Sequence, residues 1–178
     1  MKTEQKIAFR QLVASALGLD LSKVFNAQQN MPKQQKTYCT LRYYSYGQET
    51  PYEHILTTTP GEQLTISRQT LVCEIQMFAT AGTDACAALQ NLVNAFDRQP
   101  IIDKLKANDI AIVSAESVQD ISALLDNTVW ETRASVDITI RFTNTVSDDV
   151  GYIDTVKIDG KTSGTVKTTP DMNINVGG

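Results

Sequence analysis

Alternation of apolar and polar residues is clearest between positions 129 and 143. Trp130, Ala134, Val136, Ile138, Ile140 and Phe142 fall on alternate positions, and Glu131, Arg133, Ser135, Asp137, Thr139 and Arg141 fill the gaps. Successive side chains on a strand point to opposite faces, so this spacing predicts one long strand with an apolar and a charged face. Residues 63 to 78 predict another, with Leu71, Cys73, Ile75 and Met77 on one face and Arg68, Thr70, Glu74 and Gln76 on the other; Val72 is out of phase. A strand over 37 to 46 turns Cys39, Leu41 and Tyr43 to the core. Residues 23 to 30 form a short polar strand that Met31-Pro32 ends, because proline cannot donate to a sheet ladder. Ile110, Ile112 and Ser114 begin one more, continuing through Glu116 and Val118.

Helical spacing marks the remainder. Phe9, Leu12, Val13, Ala16 and Leu17 form one stripe of a helix over 4 to 17, with Gly18 as its stop. A second helix opens at Ala81-Gly82-Thr83-Asp84, with Thr83 as N-cap and Asp84 suited to the positive end of the dipole. Ala85, Cys86, Leu89, Leu92, Val93 and Phe96 line its buried side; Pro100 interrupts it, and a short helix follows from Ile101 to Ala107. The stretch from Gly47 to Gly61, with Pro51, Pro60 and three consecutive threonines, reads as a long exposed hairpin loop or two ragged strand ends. Residues 120 to 127 read as a turn or a single helical turn. From Ser147-Asp148-Asp149 a tail begins: Tyr152, Ile153, Val156 and Ile158 suggest a short extended segment, and Asp159-Gly160 is a hairpin signal. Strands in sequence with helices grouped between them predict an α+β fold over residues 1–150, a curved and mainly antiparallel sheet with helices packed on one face, followed by an extended C-terminal tail over 151–178.

Composition narrows the function more than the fold. A net charge of −4 lacks the basic excess that duplex DNA binding requires. Cys39, Cys73 and Cys86 are odd in number and scattered, which fits neither a disulfide framework nor paired zinc ligands. No run approaches the ~20 apolar residues of a membrane helix. Leu12 to Leu19 follows two early lysines as a signal peptide would, but Glu4 and Arg10 break that layout.

The chain is also short of catalytic vocabulary. His54 is the only histidine and sits beside Glu53 in the polar 47–61 stretch, so a triad or metal site would have to be built on one loop side chain. Cys86, in the first turn of the central helix, is the one candidate nucleophile; it also fits the apolar stripe among Ala85, Ala87 and Ala88. Asp148 and Asp149 are adjacent, and on a strand they point apart, whereas paired acid–base chemistry needs carboxylates that converge. Tyr38, Tyr43, Tyr44 and Tyr46 beside Arg42 could stack on bases, but no basic groove accompanies them.

The order of segments resembles the neck or tail terminator proteins of long-tailed bacteriophages. The similarity runs from about Val24 to Lys161 and rests on Phe25-Asn-Ala-Gln-Gln-Asn-Met-Pro32, Tyr38-Cys-Thr-Leu-Arg-Tyr43 and Arg68-Gln-Thr-Leu-Val-Cys-Glu-Ile75. The Gly-Thr-Asp-Ala helix opening, Val118-Gln-Asp-Ile-Ser-Ala-Leu-Leu125, Trp130-Glu-Thr-Arg-Ala-Ser-Val-Asp137 and Val150-Gly-Tyr-Ile-Asp154 complete it. The resemblance implies a structural virion protein, assembled in the host cytoplasm. It would form a ring, usually a hexamer, on the tail tube, stop tube growth and present a surface to the head-side connector or stopper protein. In a contractile tail it would also touch the sheath. It implies no catalytic residues, cofactor, metal or membrane contact, and DNA that passes through the lumen without specific binding.

Three candidate contact regions follow. The charged strand face of Glu131, Arg133, Asp137 and Arg141 suits a subunit interface, with a solvated sheet face as the plain alternative. The 47–61 stretch, with Glu49, Tyr52, Glu53 and His54, suits the tube or connector. The tail residues Tyr152, Ile153, Val156 and Ile158 suit strand addition to a neighbouring subunit or virion protein, with return to their own sheet as the alternative. The competing functional readings are another neck or tube-completion component, a small α+β enzyme or ligand-binding domain using Cys86, and a nucleic-acid binder.

Overall fold

The two longest alternating stretches become the two longest strands, and they lie side by side. A computed structural model describes residues 1–27, 37–57, 59, 61–80, 82–125 and 129–151. Among these the order is α1 (Thr3–Leu17), a 3₁₀ turn (Leu21–Lys23), β1 (Val24–Asn26), β2 (Tyr38–Gln48), β3 (Glu53–Leu56) and β4 (Glu62–Ala79). Then come α2 (Ala85–Phe96), α3 (Gln99–Lys106), β5 (Ile110–Ala115), β6 (Gln119–Asp120), β7 (Ala123–Leu125) and β8 (Val129–Asp149). The strands form one open, mainly antiparallel sheet ordered β1-β2-β4-β8-β5, with β3 beside β4 and with β6 and β7 beside β8. Strand β1 runs parallel to its neighbour, Val24 facing Cys39. This is the expected α+β class.

The chain divides into two compact units, Met1–Tyr52 with Ser67–Asn144, and Glu53–Ile66 with the chain from Thr145 onward. In the larger unit the alternation is literal. Leu71, Cys73, Ile75, Met77 and Ala79 on β4 and Ala134, Val136, Ile138, Ile140 and Phe142 on β8 are buried, and the residues between them are not. Phe9, Leu12 and Val13 of α1 and Leu89, Leu92 and Phe96 of α2 close over that face, with the Phe9 and Phe96 rings stacked 6.2 Å apart. Burying one such side chain contributes roughly 1.5–3 kcal/mol, so the helix layer and the sheet face hold each other in place.

Helix ends follow local chemistry. Gly18 takes a left-handed φ of 65°, and the amides of Gly18 and Leu19 bond the Ser15 and Ala14 carbonyls. The cap of α2 is Asp84, whose carboxylate accepts from the Ala87 amide at 2.9 Å; the expected cap, Thr83, instead places its hydroxyl 3.1 Å from that of Thr80. A carboxylate at the cap outcompetes a hydroxyl one residue earlier because it also answers the helix dipole. Pro100 lies in the first turn of α3, just after its start at Gln99, rather than interrupting a helix, since a first-turn residue has no intrahelical N–H bond to lose.

The smaller unit corrects the reading of 47–61 as a loop. Residues 53–56 form β3, paired antiparallel with the start of β4, Glu53 opposite Ile66 and His54 opposite Thr65. The turn residues at either end masked an ordinary hairpin. Ser147 donates to Glu62 at 2.7 Å, Thr65 to Asp148 at 3.1 Å, and the Val150 amide to the Gly61 carbonyl at 2.8 Å. These bonds carry β8 to Asp149, where the sequence pattern suggested a tail. Residues 123–125, expected in a turn, are β7, paired with β8 from Ala123–Glu131 to Leu125–Val129. Residues 28–36, Thr58, Pro60, Ala81 and 126–128 lie outside the described residues, as do Tyr152, Ile153, Val156, Ile158 and the Asp159-Gly160 signal.

Ile138 is fully buried on β8, whereas Ile7 on α1 is 49% exposed. Ile138→Ala should lower unfolding free energy by about 2–5 kcal/mol. Ile7→Ala should change it by no more than about 0.5 kcal/mol. Urea denaturation followed by circular dichroism measures both.

Candidate functional site

The face of the larger unit's sheet opposite the helices carries the charges singled out in the sequence, and the register sorts them into pairs. Leu41 and Ile75 face each other in the core, so their neighbours Arg42 and Glu74 meet on the other face. They form an ion pair at 2.8 Å, and the Arg42 guanidinium also lies 5.0 Å from the centre of the Tyr44 ring. The Tyr44 hydroxyl donates to Asp137 on β8 at 2.7 Å. Arg141 grips Glu49 with two N–H groups, a bidentate arrangement that fixes orientation as well as charge. Arg133 bonds Glu131 two residues back and lies 5.1 Å from the centre of the Phe78 ring. Phe78 stacks on Tyr38 at 4.6 Å, and Tyr38 meets Phe25 edge-on.

All four candidate interface residues therefore have partners within the same chain. The structure brings Asp137 and Arg141 together with Tyr44 and Glu49, which sequence reading had assigned to other roles. The simple alternation of β8 also breaks at its start. Glu131, expected on a solvated face, is only 5% exposed, whereas Trp130, expected with the apolar set, is 60% exposed. Arg133 pairs with the buried Glu131 carboxylate. Helix α2 packs against β6, whose Asp120 pairs with Ala134, and Trp130 lies four residues farther along β8.

Glu49 and Tyr52 flank the connection after β2, with Tyr52 56% exposed, while Glu53 and His54 stand on β3. His54 Nδ1 is 3.2 Å from the Thr65 hydroxyl. Among the described residues no group of histidine, cysteine or carboxylate side chains could hold a metal ion, and no helix is long and apolar enough to cross a membrane.

The thiols sit where nucleophilic chemistry is disfavoured. Burial pushes Cys39 up to about 12 and Cys73 well above its ordinary value. Cys86 is raised by burial and then by the Asp120 and Asp84 carboxylates, opposite to the cationic setting that creates a reactive thiolate. Asp148 and Asp149 accept from Thr65 and from the Gly151 amide respectively, and so do not converge on one point.

A family model described as phage neck terminator protein matches residues 7–165, nearly the whole chain. The chain belongs to the phage neck terminator family. No curated protein matches it significantly. Membership gives this terminator a structural role in the phage neck and tail completion and a place in the virion's tail region, in contact with tail and head components. The family is a structural protein family.

Two outcomes check this geometry. The Asp137 hydrogen bond, followed by burial, raises Tyr44 to about 12. A phenol that holds its proton more tightly when folded contributes stability below its unfolded value of ~10, and that contribution is lost as pH rises through 12. Absorbance titration at 295 nm should show a late tyrosine that Tyr44→Phe removes and Asp137→Asn shifts earlier. In the native protein, iodoacetamide should label Cys86 no faster than a free thiol; one fast-reacting cysteine would contradict the electrostatics.

Proposed function

We propose that this terminator closes into a ring, a hexamer by family resemblance, that caps the tail tube, stops its polymerisation and joins it to the head-side connector or stopper. In a contractile tail the ring also meets the last sheath ring. The observation that carries the reading is the match of the neck terminator family over residues 7–165. The paired charges of β8 support it. A closed ring repeats one head-to-tail contact, and a face whose guanidinium and carboxylate groups are already held by their own subunit meets its neighbour without losing much side-chain freedom. Glu131, Arg133, Asp137 and Arg141 supply part of that contact in this reading. Glu49, Tyr52, Glu53 and His54 face the tube or connector. Tyr152, Ile153, Val156 and Ile158 add a strand to a neighbouring sheet edge. The net charge of −4 suits a lumen through which DNA slides, because like charges do not adhere.

Negative-stain imaging and native mass spectrometry of the purified protein test the ring. The expected result is an annulus with a central hole and a mass about six times the 19.6 kDa chain. Arg141 is the better probe of the interface, being 42% exposed while Arg133 is tied to Phe78 and a buried glutamate. Arg141→Glu should leave the circular dichroism spectrum unchanged and shift the ring toward single subunits. A wild-type protein that stays monomeric at tens of micromolar overturns the reading.

A further inference from the structure

Among the described residues, the larger unit carries an exposed apolar pair and an apolar recess that match each other. The projection is the cross-strand pair of Leu124 on β7 and Trp130 on β8, directly opposite each other and 49% and 60% exposed. Trp130 is the chain's only tryptophan. A bulky aromatic left mostly in water gains a large apolar contact when it is covered, and tryptophan is the residue most enriched at the energetic centres of interfaces. The recess, about 430 Å³, lies between α2, α3 and β5; Val93, Phe96, Ile102 and Ile112 form its apolar wall, Val113 sits at its rim and Lys106 lines it. Strand β5 ends the sheet order, and Val113 is the residue by which its pairing with β8 slips out of register. That slip turns Val113 outward, 47% exposed.

One copy cannot fill its own recess. Ile112 on β5 pairs with Ile140, and Trp130 lies ten residues away on the same strand β8. At ~3.3 Å per residue this is roughly 30 Å, several times the reach of an indole. The recess has the volume for an indole and a leucine side chain, and its wall has the matching chemistry. A projection and its complement at separate places on one chain define a head-to-tail contact, the type that repeats around a ring instead of ending at a dimer.

We infer that Trp130 and Leu124 of one subunit seat in the α2–α3–β5 recess of the next. The inference rests on the ring proposed above and names the apolar anchor of its repeating contact. The charged face then borders this anchor, setting orientation while the indole supplies the buried centre.

The single tryptophan makes the contact directly readable. Fluorescence and acrylamide quenching should be measured on the full chain across a dilution series, with mass measured in parallel. The expected result is that Trp130 emission moves to shorter wavelength and quenching falls several-fold as the ring forms, and that both reverse as it dissociates. Val113→Glu, which alters only the exposed rim of the recess, should keep the folded spectrum, hold the protein as single subunits and leave Trp130 as quenchable as in the diluted wild type. Trp130→Ala should likewise fold and fail to assemble at the same concentration. A ring in which Trp130 stays fully quenchable overturns this inference and leaves the ring reading standing. Shielding of Trp130 in the isolated subunit, by residues 152–178, overturns it, as does shielding only when tail tube protein is added. A chain that never assembles overturns both readings together.

Discussion

Everything in the larger unit depends on the pairing of β4 with β8. They are the longest strands, 18 and 21 residues, and they occupy the middle of the sheet order. Because side chains alternate, fixing this pairing fixes both faces at once: slipping β8 by one residue against β4 would turn Ile138 and Ile140 to water and drive Asp137 and Arg141 under the helices. Register is therefore specified strongly, by the cost of burying charge as much as by the gain from burying apolar surface. The ion pairs on the opposite face are a consequence of that register rather than its cause.

This arrangement suits a protein that acts by fitting. Among the described residues the thiols are raised by burial and the Tyr44 phenol is held by the Asp137 carboxylate. Docking needs surface groups that are already ordered before the partner arrives. Arg141 held by Glu49, Asp137 by Tyr44 and Arg133 by Glu131 and Phe78 meet that need, and membership of the neck terminator family gives the ordered surface its setting. The part-exposed Arg141–Glu49 pair adds little to stability, so its value lies in orientation.

The sequence made the core legible because period two over long stretches has few alternative explanations. Leu71 to Met77 and Ala134 to Phe142 were readable as buried faces, and α1 was readable from its stripe and Gly18. It failed where tertiary context overrides local pattern. Pro51 and the threonines around 57 hid β3, whose partner is the start of β4 and not a strand next to it in pattern strength. The end of β8 looked like tail because its partners, Gly61, Glu62 and Thr65, are more than 80 residues away. Trp130 had the right phase for the core, but period alone does not say how far the helix layer extends. The intrachain partners of the candidate site were partly foreseeable: once Leu41 and Ile75 share a face, Arg42 and Glu74 must meet. The Arg141–Glu49 and Tyr44–Asp137 pairs required the order of strands, which alternation does not encode.

The most direct test of a terminating role is the length of tail tubes made without this chain. Tails assembled in its absence should be examined by electron microscopy for length and for attached heads. Tubes that overgrow and remain headless, and that return to uniform length when purified protein is added during assembly, are the expected result. Tubes of normal length, joined to heads without it, would contradict the central claim.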